Sequence, residues 1–173
     1  MRKLKLQMNI SLDGKWDDEM TRFSIDNLKK VDSILLGRVT AEGFIPYWAE
    51  VAKNPKDSFY KLGKLLHDIP KVVFSKKLKT GKWDNATIVK GDITKQVKTL
   101  KKKKGKDIIF YGGDSFASSL IRHNLVDEFY LLVNPAAIGN GKTIFNPLQN
   151  NSRLTLKKSK PFPCGTVLLY YAR

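Results

Sequence analysis

The sequence predicts an α/β domain built on a mostly parallel sheet, with helices on both faces and an antiparallel edge. Short apolar runs alternate with stretches of helical periodicity as far as Val133, the pattern of strand–helix–strand units. Two of the runs end in glycine and lead straight into a helical stretch, Ser33-Ile34-Leu35-Leu36-Gly37-Arg38 and Asp107-Ile108-Ile109-Phe110-Tyr111-Gly112-Gly113. The last part of the chain changes character. Leu154/Leu156 and Thr166 to Tyr171 read as strands joined by Pro161-Phe162-Pro163-Cys164-Gly165, with no helix between them.

In chain order, Leu4, Leu6, Met8 and Ile10 alternate with Lys5, Gln7, Asn9 and Ser11, a strand with one strongly apolar face. Asp13-Gly14 turns the chain. Met20, Phe23, Leu28 and Val31 recur at roughly helical spacing, with Asp17 and Asp18 at the acidic start. Ile34 to Leu36 is a short buried strand. Phe59, Leu62, Leu65 and Leu66 mark a helix that His67-Asp68-Ile69-Pro70 ends. Lys71 to Ser75 and Ala86 to Val89 have the apolar content of parallel strands. Asp92 caps a helix carrying Ile93, Val97 and Leu100 on one face. The strand Ile108 to Tyr111 precedes a helix with Phe116, Ala117, Leu120 and Ile121 inward and Asp114 as its cap, and Glu128 to Val133 is stopped by Asn134-Pro135. No linker or repeat interrupts the chain, so residues 1–173 are expected to form one domain.

Composition narrows the function classes. The 173 residues contain no apolar run of about 18, so no membrane-spanning helix is expected. Met1 to Leu6 alternates from the outset and lacks the apolar stretch of a signal peptide, which places the expected location in the cytoplasm. One cysteine and two separated histidines give no expectation of a metal. The 32 basic against 16 acidic residues set the net charge at +16. The lysines are spread along polar faces, and the one dense run, Lys101 to Lys104, closes a helix without interleaved aromatics. A solvated basic surface is expected rather than a nucleic-acid footprint, and it would draw an anionic small molecule.

The two glycine signals point to chemistry. A strand followed by glycine and a helix start leaves unpaired N–H groups at the positive end of the helix dipole, a seat for phosphate. Glycine also lets a ligand lie against the backbone. Two such seats in one domain suggest a diphosphate, hence a nucleotide cofactor.

With these elements in place, an ordered set of motifs resembles the dihydrofolate reductase-like superfamily, and more narrowly the C-terminal reductase domain of bifunctional riboflavin-biosynthesis enzymes and its stand-alone relatives. The motifs are Ser11-Leu12-Asp13-Gly14, Leu36-Gly37-Arg38-Val39-Thr40, Val73-Phe74-Ser75, Tyr111-Gly112-Gly113, Leu125-Val126-Asp127-Glu128, Pro135 to Gly141, and Gly165-Thr166-Val167-Leu168-Leu169-Tyr170. They span nearly the whole chain. The resemblance implies a three-layer fold with about eight strands and a C-terminal antiparallel hairpin. It also implies NADPH as hydride donor, a small heterocyclic or ribosylated substrate, and often a homodimer. No deaminase zinc motif accompanies the reductase motifs.

By that resemblance Gly37, Arg38 and Thr40 would hold the adenosine 2′-phosphate and diphosphate, although Arg38 also reads as a surface arginine after a turn. Ser75 and Lys76 would meet the adenosine-side phosphate or simply end a strand. Tyr111, Gly112, Gly113, Asp114, Ser115 and Phe116 would carry the cofactor, with the Ser115 and Phe116 N–H groups as the better ligands beside the acidic Asp114. Asp13 would border the nicotinamide and substrate, or serve only as a turn residue. Glu19 is the counterpart of the carboxylate that dihydrofolate reductases place on their first helix, or an acidic helix start. Trp16, Tyr47 and Trp48 read equally as pocket wall, core or subunit face. Folate reduction, or a basic nucleic-acid-binding module on the same fold, are the rival readings.

Overall fold

The computed structural model describes residues 1–10, 17–78, 83–137, 141–145 and 153–173. The first half contains β1 (Leu4–Ile10), α1 (Asp18–Leu28), β2 (Val31–Gly37), α2 (Arg38–Val51), α3 (Tyr60–Asp68), β3 (Lys71–Phe74) and β4 (Ala86–Val89). The second contains α4 (Ile93–Lys102), β5 (Asp107–Tyr111), α5 (Asp114–Arg122), β6 (Glu128–Val133), β7 (Thr155–Pro161) and β8 (Val167–Ala172). The eight strands form one sheet in the order β4-β3-β2-β5-β1-β6-β8-β7. All neighbours from β4 to β6 are parallel, and β8 and β7 add the antiparallel hairpin. Gly165 turns that hairpin at φ +88°, a conformation that suits glycine.

Helices cover both faces. Leu28 of α1, Ile45 of α2, and Leu62 and Leu66 of α3 pack with Ile34, Leu36, Val73 and Ile109 of the sheet. On the other face Val97 of α4 and Leu120 of α5 pack with Leu4, Leu6, Leu35, Phe110 and Phe129. A smaller cluster of Met20, Leu132, Phe162 and Leu168 closes the hairpin end. Each of these side chains is at least nine-tenths buried. At about 1.5–3 kcal/mol for a fully buried large apolar residue, this burial dominates the favourable side of folding.

Four expectations are corrected. Val31 does not extend the first helix: α1 ends at Leu28, and Val31 opens β2 and pairs with Asp107 of β5. The polar face of β1 is not wet, because β1 lies between β5 and β6 under helices on both sides; Lys5 and Gln7 are buried. The lysine run is not wholly a solvated face. Lys101 is buried, and its Nζ donates to both carboxylate oxygens of Asp127 at 2.8 and 2.6 Å. Finally, Asp114 does not cap α5. The N-cap is Gly113, which supplies no side-chain acceptor, and Asp114 occupies the first turn.

The amino edge of the sheet collects charge and satisfies it. Arg2 pairs with Asp32 and donates to Ser33 Oγ at 3.0 Å. Lys5 Nζ lies 2.9 Å from Asp107, and Glu128 accepts from Lys3 Nζ at 2.6 Å and from the Tyr130 hydroxyl at 2.9 Å. Burial alone would raise the Glu128 pKa, but the Lys3 and Tyr130 hydrogen bonds hold it below the ordinary glutamate value. Lys71, at the start of β3, is the exception. Its buried ammonium donates to the His67 carbonyl, and desolvation pushes its pKa down to about 8.

Candidate functional site

At the carboxyl edge the pattern reverses. Four helices follow a strand in sequence, and they fall into two kinds. Asp17 caps α1 through Met20 N at 2.8 Å, and Asp92 caps α4 through Lys95 N at 3.0 Å. The helices α2 and α5 instead begin after Gly37 and Gly113, and neither has a side-chain acceptor for its first N–H groups. These two helices leave adjacent strands. Leu36 of β2 pairs with Tyr111 of β5, so Gly37 and Gly112 stand side by side.

The register extends this row. Gly37 pairs with Phe74 of β3, and Phe74 with Val89 of β4. Gly112, Gly37, Ser75 and Lys90 therefore mark successive strand ends, across three spacings of about 4.8 Å each. A groove of about 410 Å³ lies beyond Ser75, lined by Lys76, Lys90, Gly91, Thr94 and His123 among others. Ser75 is buried, and its Oγ accepts from Lys77 N and Leu78 N at 3.1 and 3.0 Å, which leaves its O–H to donate. His123, which in sequence looks like an ordinary helix-end residue, joins this groove.

The three glycines serve different ends. A Cβ on Gly37 would lie 3.2 Å from the Phe116 side chain, and one on Gly112 only 2.8 Å from Phe116 Cδ1. Phe116 thus wedges between the two ledges, with its ring centroid 5.7 Å from that of Phe74 and 6.0 Å from that of Phe110. Its side chain is packing, and only its backbone N–H is available at the helix start. Gly113 differs. A Cβ there would meet nothing within 4 Å, and its φ of −71° makes no demand for glycine. Neither packing nor backbone geometry explains that residue; close approach of a ligand would.

Arg38 sits at the first position of α2, and its Nη1 donates to both Glu42 oxygens at 2.9 and 2.8 Å on an exposed surface. Glu42, an i,i+4 neighbour, is a partner the sequence reading missed, although its spacing signals the pair. Asp114 faces Lys142 at 3.8 Å. Ser115 opens a second groove of about 530 Å³ along α5, with Ser118, Arg122 and Lys142.

On the other side of Gly112 lies an apolar cleft of about 350 Å³. Phe44 and Trp48 of α2, Leu62 and Leu66 of α3, and Leu132 of β6 form its walls. Tyr111 stacks on Phe44 at 5.3 Å, and burial holds its hydroxyl protonated far above neutral pH, so it serves as a neutral donor. Gln7, Asn9 and Ser24 supply the polar lining. Trp48 belongs to this wall, whereas Tyr47 is 56% exposed and does not.

Of the two candidate carboxylates, only Glu19 is among the described residues. Asp13 lies outside the described residues, as do Ile138, Gly139 and Asn140 of the Pro135–Gly141 motif. Glu19 pairs with Lys160 at 2.9 Å and lines a separate charged groove with Arg22, Tyr130 and Lys158. Phe23 packs against Tyr130 and Phe162, away from the cleft. Among the described residues, no helix is long and apolar enough to cross a membrane.

Comparison with known proteins agrees with this architecture. The sequence model of the RibD C-terminal domain matches residues 2–168. The uncharacterized protein YyaP of Bacillus subtilis (strain 168) is 35% identical over 148 residues, covering 84% of this chain and 76% of YyaP. A protein of Shewanella sp. PV-4 superposes with a TM-score of 0.70 at 17% identity, over 100% of this chain and 99% of that one. The Thermotoga maritima diaminohydroxyphosphoribosylaminopyrimidine deaminase/5-amino-6-(5-phosphoribosylamino)uracil reductase superposes at 0.66 and 14% identity, over 99% of this chain and 56% of that one. A domain model that spans nearly every residue, on the eight-stranded sheet described above, settles the relationship: this chain belongs to the RibD C-terminal domain family, the reductase-type domains of riboflavin biosynthesis.

Proposed function

We propose that the protein is an NADPH-dependent reductase that moves a hydride to a small heterocyclic substrate. The observation that carries this reading is the pair of adjacent, uncapped helix starts at Gly37 and Gly113, with an open backbone at Gly113 and cations at the far end of the row. These residues fit a dinucleotide. The N–H groups of Arg38 to Thr40 and of Ser115 and Phe116 bind the diphosphate, and the Thr40 hydroxyl adds a donor. Lys76, Lys90 and the Ser75 hydroxyl receive the adenosine end.

Arg38 selects for the 2′-phosphate by exchanging Glu42 for it. An exposed i,i+4 ion pair is worth only about 0.3–0.5 kcal/mol, so the exchange costs little. Asp114 bears a negative charge beside the diphosphate seat, and its contact with Lys142 offsets that repulsion. When bound, NADPH supplies the hydride; the protein orients the acceptor and excludes water from the cleft with Phe44, Trp48 and Leu132. We assign proton supply to Asp13, three residues beyond the end of β1.

Titration of tryptophan fluorescence tests the reading. NADPH is expected to bind with a micromolar dissociation constant and NADH at least about tenfold more weakly. Arg38→Ala should weaken NADPH while leaving NADH nearly unchanged. Equal losses for the two cofactors would remove the 2′-phosphate assignment, and absence of NADPH binding would remove the function.

A further inference from the structure

The lysine run at the end of α4 reads in sequence as a solvated helix end, but the fold sets it against a second lysine turn. Lys29 and Lys30 join α1 to β2; Lys102 ends α4, and Lys103 to Lys106 lead into β5. β2 and β5 are neighbours, so the two turns lie side by side at the amino edge. Hydrogen bonds tie them together. Asp107 N donates to the Lys30 carbonyl at 3.2 Å, Lys106 Nζ to the Lys29 carbonyl at 2.9 Å, and Lys106 N to Asp32 Oδ2 at 2.8 Å.

The carboxylates of this edge are already committed. Asp32 pairs with Arg2, Asp107 with Lys5, Asp127 with Lys101 and Glu128 with Lys3. Arg2, Lys5 and Lys101 are buried, so these acids neutralise the interior rather than the surface. Exposed Asp26 holds Lys29 at 3.1 Å. Lys30, Lys102, Lys103, Lys104 and Lys106 are exposed and have no ion pair among the described residues. Outside those residues the only acid in the sequence is Asp13, which follows the opposite end of β1. Five like charges are thus gathered on two joined turns, where their fields add.

We propose that these two turns dock on the phosphates of a nucleic-acid duplex without reading its bases. The inference is independent of the reductase reading, whose residues lie at the other edge of the sheet. Each lysine that neutralises a phosphate releases a condensed counterion, which supplies the affinity. The residue types choose among polyanions. Positions 29–30 and 102–106 hold only lysine and glycine. They offer no aromatic ring on which the bases of a single strand could stack, and no Arg, Asn or Gln to grip a base edge. An anionic bilayer fits less well. The turns carry no apolar anchor, and Met1 alone is a small one. Asp26, 67% exposed, flanks them and would be pressed against a flat anionic surface, whereas a line of phosphates can run along the turns.

The test measures fluorescence anisotropy of a labelled DNA duplex of about 20 base pairs with the full chain, at about 50 to 200 mM salt. Micromolar binding is expected at the low end, with a loss of about 150- to 500-fold across the range if four to five phosphates are neutralised. Two duplexes of unrelated sequence should bind within about twofold of each other. Oligo(dT) of equal length should bind more weakly. Lys103→Gln with Lys104→Gln should weaken the duplex at least about tenfold at low salt and make the log–log salt slope shallower by about two. Lys30→Gln with Lys102→Gln should do the same, and stands in if the first pair disturbs folding in a thermal melt. Lys157→Gln with Lys158→Gln makes the same change in charge on β7, four strand spacings from β5, and should cost less than about twofold. Absence of duplex binding at low salt, or equal losses from the turn and β7 pairs, would overturn the proposal. So would binding to phosphatidylserine-containing vesicles without binding to the duplex.

Discussion

The two ends of the central sheet solve the same electrostatic problem in opposite ways. At the amino edge, buried Arg2, Lys5, Lys101 and Glu128 each meet an opposite charge. At the carboxyl edge, two helix starts have no side-chain cap among the described residues, and one conspicuous cation, Arg38, is held by an exchangeable surface pair. Stability is invested at one end and cofactor-binding capacity kept at the other. Mutations at the two edges should therefore separate folding from cofactor binding.

The largest separation is expected at Asp127. Asp127→Ala removes the partner of the buried Lys101 ammonium and the acceptor of Leu4 N at 2.6 Å. A loss of about 3–5 kcal/mol is expected in denaturant unfolding, because the lysine is left buried and unpaired. NADPH affinity of the folded fraction should change by less than about twofold. Comparable losses in stability and affinity would dissolve the distinction between the edges.

Lys71 sharpens it next, as a buried amino-edge cation that donates to a backbone carbonyl and has no ion pair among the described residues. Its folded pKa of about 8 lies below the ordinary 10.5, so the unfolded chain binds more protons between those values. Stability should then rise as pH climbs from about 8 to 10.5. Lys71→Met should stabilise by roughly 1–3 kcal/mol below pH 8, and the gain should fade toward pH 10.5. Thermal melts across that range check the sign; a gain that grows with pH would contradict it.

A pair of glycine variants tests the smaller effects within the carboxyl edge. Gly112→Ala should cost about 1–2 kcal/mol by pressing on Phe116, and Phe116→Leu in the same chain should recover part of it. Gly113→Val has open space around it, so stability should shift by less than about 1 kcal/mol while NADPH affinity falls sharply. Undiminished affinity would mean that no ligand lies against Gly113.

The strands and helices of the parallel region were legible from periodicity because each unit there is local, an apolar run, a turn and an amphipathic helix, whereas their order across the sheet was not. β4 and β6 fall where their apolar runs place them. What stayed hidden depends on contacts distant in sequence. Val31 looks helical by spacing with Leu28, yet pairing with β5 draws it into a strand. Lys101 looks solvated until Asp127, 26 residues on, reaches it. The glycine seats were legible as motifs, but the wedge of Phe116 between them was not, because it needs β2 and β5 to be neighbours. Likewise Gln7 reads as one more polar strand position until α1 brings Ser24 and Asn27 into hydrogen-bonding contact with it.

The central claim concerns which helix starts receive an anion, and backbone amide resonances report that directly. In a titration of the ¹⁵N-labelled chain with NADPH, the amides of Arg38 to Thr40 and of Asp114 to Phe116 should shift and saturate together. Those of Met20 and Lys95, already capped by aspartates, should stay in place. Shifts confined to the capped helices or to Lys102–Lys106, with the glycine-led starts unmoved, would contradict the account.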